Sequence, residues 1–330
     1  MLLKSCKYVD IMKTIKLFTL LLVSIVAGAQ NDSPLVCEQD ANFISSCAIE
    51  SRVFKPGVKV GFLDECSKDS YNKSKLFLYE SVPETITKEY FEDNGIPQNQ
   101  MKDLILTVTG IENLPYRDNR NLTFIIADGS DGKKYRYYLV GVSDTINPSS
   151  TDINCIYLVE EHEKFSKIIG QTIYGKNNLW SDKTESGELK TIWGKKYYPL
   201  QVTGIIPARG LFLGAYFIRF KPKGSDKEYY KFCENSEFFY TIFTLCDPRD
   251  SYKNLKDKDW EVLQKGEPET GMKKDILELT LGKPDYVSTY KTNNDEQEVW
   301  LYRNLGGKSY QIVIKKDKIE SFSSGEFNHR

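Results

Sequence analysis

The sequence predicts a mostly β protein that ends in an α+β module. Three observations lead to this fold class. Tyr and Phe, which favour strands, are abundant at 21 and 17 residues. Two β-rich segments in the middle of the chain resemble each other, and a short amphipathic helix precedes strand-like runs near the end. We expect two repeated small β-barrel or sandwich domains, followed by a helix packed on an antiparallel sheet.

The N-terminal residues have the pattern of an export signal. From Met12, two lysines precede an apolar run at 17–26, and Ala27-Gly28-Ala29 is a small-x-small cleavage site. The apolar run is too short to cross a bilayer, which takes about 20 helical residues. The residue directly after the cleavage site is Gln30 and not a Cys that could carry a lipid. We predict a leader over 1–29 and an exported protein, periplasmic or extracellular, with no membrane span and no lipid anchor.

Length and charge restrict the classes of function. A chain of 330 residues suggests two or three domains. The 45 basic and 46 acidic residues nearly cancel, and no basic stretch is clustered. We therefore expect no nucleic-acid partner.

Six cysteines follow the predicted leader, and an even number in an oxidising compartment suggests disulfides. The simplest pairing by sequence distance is Cys37–Cys47 and Cys233–Cys246, which leaves Cys66 with Cys155. The alternative is that some of the six are free, buried thiols. No CxxC motif points to zinc or to redox chemistry.

An approximate internal repeat organises the middle of the chain. Leu-x-Val-Thr-Gly-Ile occurs at 106–111 and again at 200–205, about 94 residues later. Phe124-Ile125 is matched by Phe217-Ile218, and a predicted hairpin turn, Gly129-Ser130-Asp131, is matched at 224–226. These matches keep their order and spacing, which favours a tandem duplication over two unrelated hairpins. The predicted boundaries are a lead-in at 30–53, β repeats at 54–150 and 151–246, and a charged linker at 247–265.

The C-terminal module, 266–330, begins with a segment whose pattern predicts a short amphipathic helix. Ile276, Leu277 and Leu281 lie on one face, and Gly282 and Pro284 end the helix. Strand-like runs follow, in which alternate residues form one apolar face. These face residues are Trp300 and Tyr302, then Tyr310, Ile312 and Ile314.

The module resembles the SmpA/OmlA (BamE-like) family and its β-lactamase-inhibitor-like fold relatives. The shared pattern is Gly271-Met272, then Leu281-Gly282-Lys283-Pro284, then Trp300-Leu301-Tyr302. The resemblance implies a non-enzymatic binding or scaffolding part of the bacterial cell envelope. The lipidated Cys of the assembly-factor members is absent from this chain. The middle region resembles, in outline only, tandem SH3-like barrels.

Histidine, the residue that most often serves as a catalytic acid or base, occurs only twice in the sequence. His162 lies in a charged run, EEHEK, which we predict to be a solvated face, and His329 lies in the tail. The chain has no HExxH, GxGxxG or P-loop motif, and Asp128–Gly132 is better explained by a hairpin than by a calcium loop. We therefore assign no catalytic, metal or cofactor residue. A pair of carboxylates for glycoside hydrolysis leaves no local motif and stays an alternative.

Tyrosines supply the candidate binding surface. Paired or alternating tyrosines occur in the predicted strands, and exposed rings on a sheet stack on sugars or hold a peptide. The alternative is that they pack in the barrels. The candidates are Tyr135, Tyr137, Tyr197, Tyr198, Tyr229 and Tyr230.

The predicted function is an exported, non-enzymatic binding or scaffolding protein that recognises an envelope protein or polysaccharide. Two alternatives remain open, a carbohydrate-active or other secreted hydrolase with unrecognised carboxylates, and an inhibitor of a secreted enzyme.

Overall fold

A computed structural model describes residues 37–47, 54–63, 75–84, 86–87, 90, 94–116, 120–139, 156–208, 214–235, 238–291, 296–305 and 308–326. The predicted leader lies outside these residues. The described chain is mostly β, which confirms the general fold class, and its strands form three antiparallel sheets.

The first sheet has six strands in the order β2-β5-β4-β3-β1-β6. They are β1 (Lys59–Phe62), β2 (Leu76–Leu78), β3 (Leu106–Tyr116), β4 (Arg120–Gly129), β5 (Lys134–Leu139) and β6 (Ile156–Leu158). Strand β6 lies within the range predicted for the second repeat, but it pairs with β1. We call residues 54–158 the first β domain.

The second sheet has seven strands in the order β13-β7-β10-β11-β12-β8-β9. They are β7 (Thr172–Gly175), β8 (Leu179–Lys183), β9 (Leu189–Trp193), β10 (Pro199–Pro207), β11 (Tyr216–Pro222), β12 (Tyr229–Cys233) and β13 (Phe243–Thr244). If β9 is left out, this order matches that of the first sheet read from the other edge. Strands β7, β8, β10, β11, β12 and β13 then correspond to β1, β2, β3, β4, β5 and β6. We call residues 159–246 the second β domain.

The two sheets also share a local irregularity. Each Val-Thr-Gly segment contains a β-bulge, between Val108 and Gly110 in β3 and between Val202 and Gly204 in β10. The bulge makes Thr109 or Thr203 the extra residue of its strand. The hairpin turns match less closely. Leu106 pairs with Gly129, whereas Leu200 pairs with Pro222, so the Gly-Ser-Asp turn of the second domain lies two residues beyond the equivalent position.

Six α-helices occur in the described residues, and the first belongs to the core of the second β domain. They are α1 (Glu38–Cys47), α2 (Val159–Phe165), α3 (Phe239–Ile242), α4 (Pro248–Ser251), α5 (Asp257–Lys265) and α6 (Lys274–Leu281). Phe43 of α1 stacks on Phe165 at a ring distance of 5.7 Å and meets Phe239 edge-on at 5.1 Å. The first β domain therefore lies, in sequence, between α1 and the domain on which α1 packs.

A disulfide between Cys37 and Cys246 joins this helix to the end of the second β domain, across 209 residues. The predicted pairings Cys37–Cys47 and Cys233–Cys246 are wrong. Cys37 directly precedes a ten-residue helix and Cys47 is its last residue, so the two lie about 15 Å apart, too far for a disulfide. Cys47 and Cys233 are free, buried thiols, and Cys66 and Cys155 lie outside the described residues. The disulfide is consistent with the predicted export.

The C-terminal module is a helix on a four-stranded meander. Its strands are β14 (Tyr286–Lys291), β15 (Glu296–Leu305), β16 (Lys308–Lys315) and β17 (Lys318–Glu326), in sequential order. The predicted apolar face is buried against Ile276 and Leu277 of α6. The stretch predicted as a linker contains helices α4 and α5, and Leu255 and Val262 pack against the core of the module.

Candidate functional site

The structure divides the six candidate tyrosines. Tyr135 and Tyr137 are only 3% and 4% exposed and belong to the core of the first β domain, so they cannot form a binding surface. In this core, the ring of Phe62 meets that of Tyr137 edge-on at 5.9 Å. Tyr229 packs on Trp180 at a ring distance of 5.3 Å. Tyr230 is half-buried on the same strand.

Tyr197 and Tyr198 line an open groove of about 800 Å³ on the second β domain. The groove was not predicted, because its residues come from five separate segments of the chain. These segments are strand β7, the stretch 197–201, the β11–β12 hairpin at 221–226, helix α4 with its cap, and Gln264 of α5.

The floor of the groove is a polar row across three neighbouring strands. Thr172 pairs with Gln201, and Gln201 pairs with Lys221, so the three side chains lie on one face. The intervening Ile173 and Leu200 are fully buried beneath them. Strand alternation therefore presents hydroxyl, amide and ammonium groups to the groove over a rigid apolar core.

The tyrosine hydroxyls are held by neighbouring polar groups. Tyr198 donates to the carbonyl of Lys223 at 3.1 Å, which ties one wall to the hairpin on the other side. The hydroxyl of Tyr174 donates to Asp247. Burial, the charge of Asp247 and this hydrogen bond raise the pKa of Tyr174. The tyrosines are thus fixed in position before any ligand arrives.

Tyr197 lies on a constrained loop. Its φ of 50° is in the left-handed region, which is unusual for a bulky residue. Its hydroxyl donates to Tyr252, and burial is the main reason why the pKa of Tyr197 is raised. The ring centre of Tyr252 in turn lies 6.3 Å from that of the buried Trp260 of α5. Strained backbone at a groove wall is a common feature of binding sites.

Lys196 anchors the same loop to the C-terminal module. Its Nζ donates to the carbonyl of Leu279, and to that of Thr280 at 3.4 Å. Both carbonyls lie in the last turn of α6, where a cation is favoured. Burial nevertheless lowers the pKa of Lys196 to about 8.

The pH dependence of stability should report this burial. Because the folded pKa of Lys196 is about 8 and the unfolded value is 10.5, the unfolded chain binds more protons between these values. Stability from this group therefore rises with pH over that window. We expect the free energy of unfolding of the wild type, relative to Lys196→Met, to rise by about 1–2 kcal/mol between pH 7.5 and 9.5. Urea titrations at both pH values measure this difference, and a difference that stays constant would contradict it.

The charges of the groove are nearly balanced. Lys221, Lys223 and Arg249 face Asp226 and Asp247. Arg249 is also paired, with Asp257 at 3.2 Å. Such a lining suits a polar ligand of low net charge better than a nucleic acid or a strongly acidic polymer.

The EEHEK run is only in part the solvated face that we predicted, because Glu160 and Glu163 are exposed whereas Glu161 is buried. Glu161 of helix α2 is fully buried, and a Cβ on Gly214 would lie 2.4 Å from its Oε2. His162 is half-buried, donates from Nε2 to the carbonyl of Ile205 at 3.1 Å, and has the ring of Tyr157 at 5.3 Å. Helix α2 packs against α1, β1 and β10, which buries the side that carries Glu161.

The two free thiols lack the features of nucleophiles. Burial raises the pKa of Cys47 to about 11 and that of Cys233 to about 12. A thiol is reactive as the thiolate, which burial disfavours here. Among the described residues, no group of three or more His, Cys, Asp and Glu side chains could hold a metal ion. Within the same residues, no helix has both the length and the apolar character that crossing a membrane requires.

Comparison with known proteins gives no assignment. No protein-family model, no curated protein and no solved structure matches the chain.

Proposed function

We propose that the protein is an exported, non-enzymatic binding protein whose groove on the second β domain holds an oligosaccharide of the bacterial cell envelope. The observation that carries this proposal is the convergence of Tyr174, Tyr197 and Tyr198 on one open polar groove. Tyrosine offers an apolar ring for stacking and a hydroxyl for hydrogen bonding, and a sugar needs both.

The size and lining of the groove suit such a ligand. A volume of about 800 Å³ is in the range of small-molecule sites and leaves room for several sugar rings. Sugar hydroxyls both donate and accept, and the floor offers the hydroxyl of Thr172, the amide of Gln201 and the ammonium of Lys221. A preorganised floor lowers the entropic cost of binding.

Two carboxylates line the groove, so we also consider the hydrolase alternative. They are Asp226 and Asp247, and glycosidases use such a pair. Asp226 is exposed at the hairpin, and Asp247 accepts from the backbone N–H of Arg249 as the N-cap of α4. Asp226 is thus open to solvent, and Asp247 is already engaged by two donors, the hydroxyl of Tyr174 and the backbone N–H of Arg249. Binding without cleavage is therefore the better proposal.

We further infer that the two β domains arose by tandem duplication and that the second domain retained or acquired the groove. The common strand order and the matching bulges support the duplication. In the first domain, the row equivalent to the groove floor is Lys59, Thr107 and Asp128. The first domain has Gly61, which has no side chain, at the position equivalent to Tyr174. Gly61 pairs with Tyr157, as Tyr174 pairs with Thr244.

A panel of envelope oligosaccharides, both neutral and acidic, tests the proposed function by titration calorimetry. We expect Gln201→Ala and Tyr174→Ala each to weaken binding about tenfold or more, because each removes a ligand-facing group from a fixed site. Thr107→Ala is the matched control, since Thr107 occupies the position of Gln201 in the first domain.

Mass spectrometry of the oligosaccharide after incubation separates binding from hydrolysis. We expect the ligand to be recovered intact. Cleavage that is lost in Asp226→Asn would favour the hydrolase. Equal affinity in the wild type and Gln201→Ala would exclude the groove, and failure of the whole panel would favour a protein partner.

A further inference from the structure

Strand β14 forms one edge of the C-terminal sheet and lacks the usual protection of an edge. From Tyr286 to Tyr290 it carries no charge, and Tyr286, Val287 and Tyr290 are 56%, 44% and 57% exposed. At the opposite edge, β17 carries Lys318 and Glu320, and its ladder is interrupted by a bulge. Charges and bulges prevent edge-to-edge pairing, whereas an uncharged edge of aromatic and β-branched residues favours it.

The sequence of this edge is close to a palindrome. Tyr286-Val287-Ser288-Thr289-Tyr290 reads nearly the same in both directions, with two β-branched residues beside the central serine. In an antiparallel pair of two such strands, centred on Ser288, each Tyr286 lies opposite a Tyr290 and each Val287 opposite a Thr289. Aromatic and β-branched residues are favourable partners at directly opposed positions.

The flanking charges fit the same register. Asp285 immediately precedes the strand, and Lys291 is its last residue. In a pair centred on Ser288, the Asp285 of each copy lies opposite the Lys291 of the other. Both residues are exposed. The arrangement therefore places opposite charges together at both ends of the strand pair.

We propose that β14 is a self-association edge, at which two copies of this chain pair antiparallel about Ser288 and join their C-terminal sheets into one eight-stranded sheet. The contact is isologous and closes as a dimer. A six-residue edge buries less surface than the roughly 1,200 Å² of a typical stable interface, so the dimer depends on concentration. The proposal does not depend on the groove.

Sedimentation of the chain from Gln30 onward, over a range of concentrations, tests this proposal. The wild type is expected to shift from monomer towards dimer as its concentration rises. Ser288→Lys and Ser288→Glu are each expected to remain monomeric, because two like charges then oppose each other about 5 Å apart at the axis. An equimolar mixture of the two variants is expected to dimerise again.

Ser323→Lys is the matched control. Ser323 is exposed on β17, the opposite edge, so this variant is expected to dimerise like the wild type. Thermal unfolding checks that all variants are folded. A wild type that is monomeric at every concentration, a Ser288→Lys variant that dimerises like the wild type, or a mixture that stays monomeric would each overturn the proposal.

Discussion

Replacing both Cys37 and Cys246 with serine is expected to lower the free energy of unfolding of the second β domain by about 3–5 kcal/mol. The disulfide closes a loop of 209 residues, and a loop of this length restricts the unfolded chain strongly. It also holds α1 beside β13, where Asp40 accepts from the backbone N–H of Leu245 at 2.7 Å. Without the disulfide, the only covalent connection between α1 and the second β domain runs through the whole first β domain.

Urea unfolding with and without reductant separates the effect of the bond from that of the side chains. The wild type is expected to lose stability on reduction, and the double serine variant is expected to be insensitive to the reductant. Cys47→Ala with Cys233→Ala is the control that removes two cysteines but no bond, and this variant should still respond to reductant. A wild type whose unfolding is unchanged by reductant would contradict the assigned pairing.

Gly214→Ala is expected to destabilise the second β domain by about 3 kcal/mol or more. Two effects add at this position. The φ of Gly214 is 96°, a conformation that costs an L-residue about 1–2 kcal/mol. The new Cβ would also lie 2.4 Å from Oε2 and 2.9 Å from Cδ of Glu161, so this fully buried carboxylate would have to shift inside the core.

Gly224→Ala isolates the backbone contribution. Gly224 has a φ of 80° in the β11–β12 hairpin, and a Cβ there would meet no atom within 4 Å. Its cost should be limited to about 1–2 kcal/mol. Thermal and urea unfolding of the two variants provide the comparison. Equal destabilisation of both would show that Glu161 does not restrict the space beside Gly214.

Local patterns predicted the parts of the fold that depend on neighbouring residues. Helix α6 followed from the spacing of Ile276, Leu277 and Leu281, and the alternating apolar residues of β15 and β16 are buried as expected. The Val-Thr-Gly match identified strands β3 and β10, which have equivalent partners in their sheets. In these cases, side-chain periodicity alone determines which face is buried.

Long-range arrangements could not be predicted in this way. Sequence distance suggested a Cys37–Cys47 disulfide. Helix α1 instead packs on residues that follow it by more than a hundred positions in the chain. Burial of Tyr135 and Glu161 depends on elements that pack against them, not on their own segments. The groove was missed for the same reason, although the predicted Tyr197 and Tyr198 do line it. An unusual φ at Tyr197 has no signature in the sequence.

A crystal structure with the tightest-binding oligosaccharide of the panel tests the central claim most directly. We predict that the sugar lies over the row of Thr172, Gln201 and Lys221, with hydroxyls within hydrogen-bond distance of Gln201 and a ring packed against a groove tyrosine. A sugar bound anywhere outside this groove, with the groove left unoccupied, would contradict the proposed function.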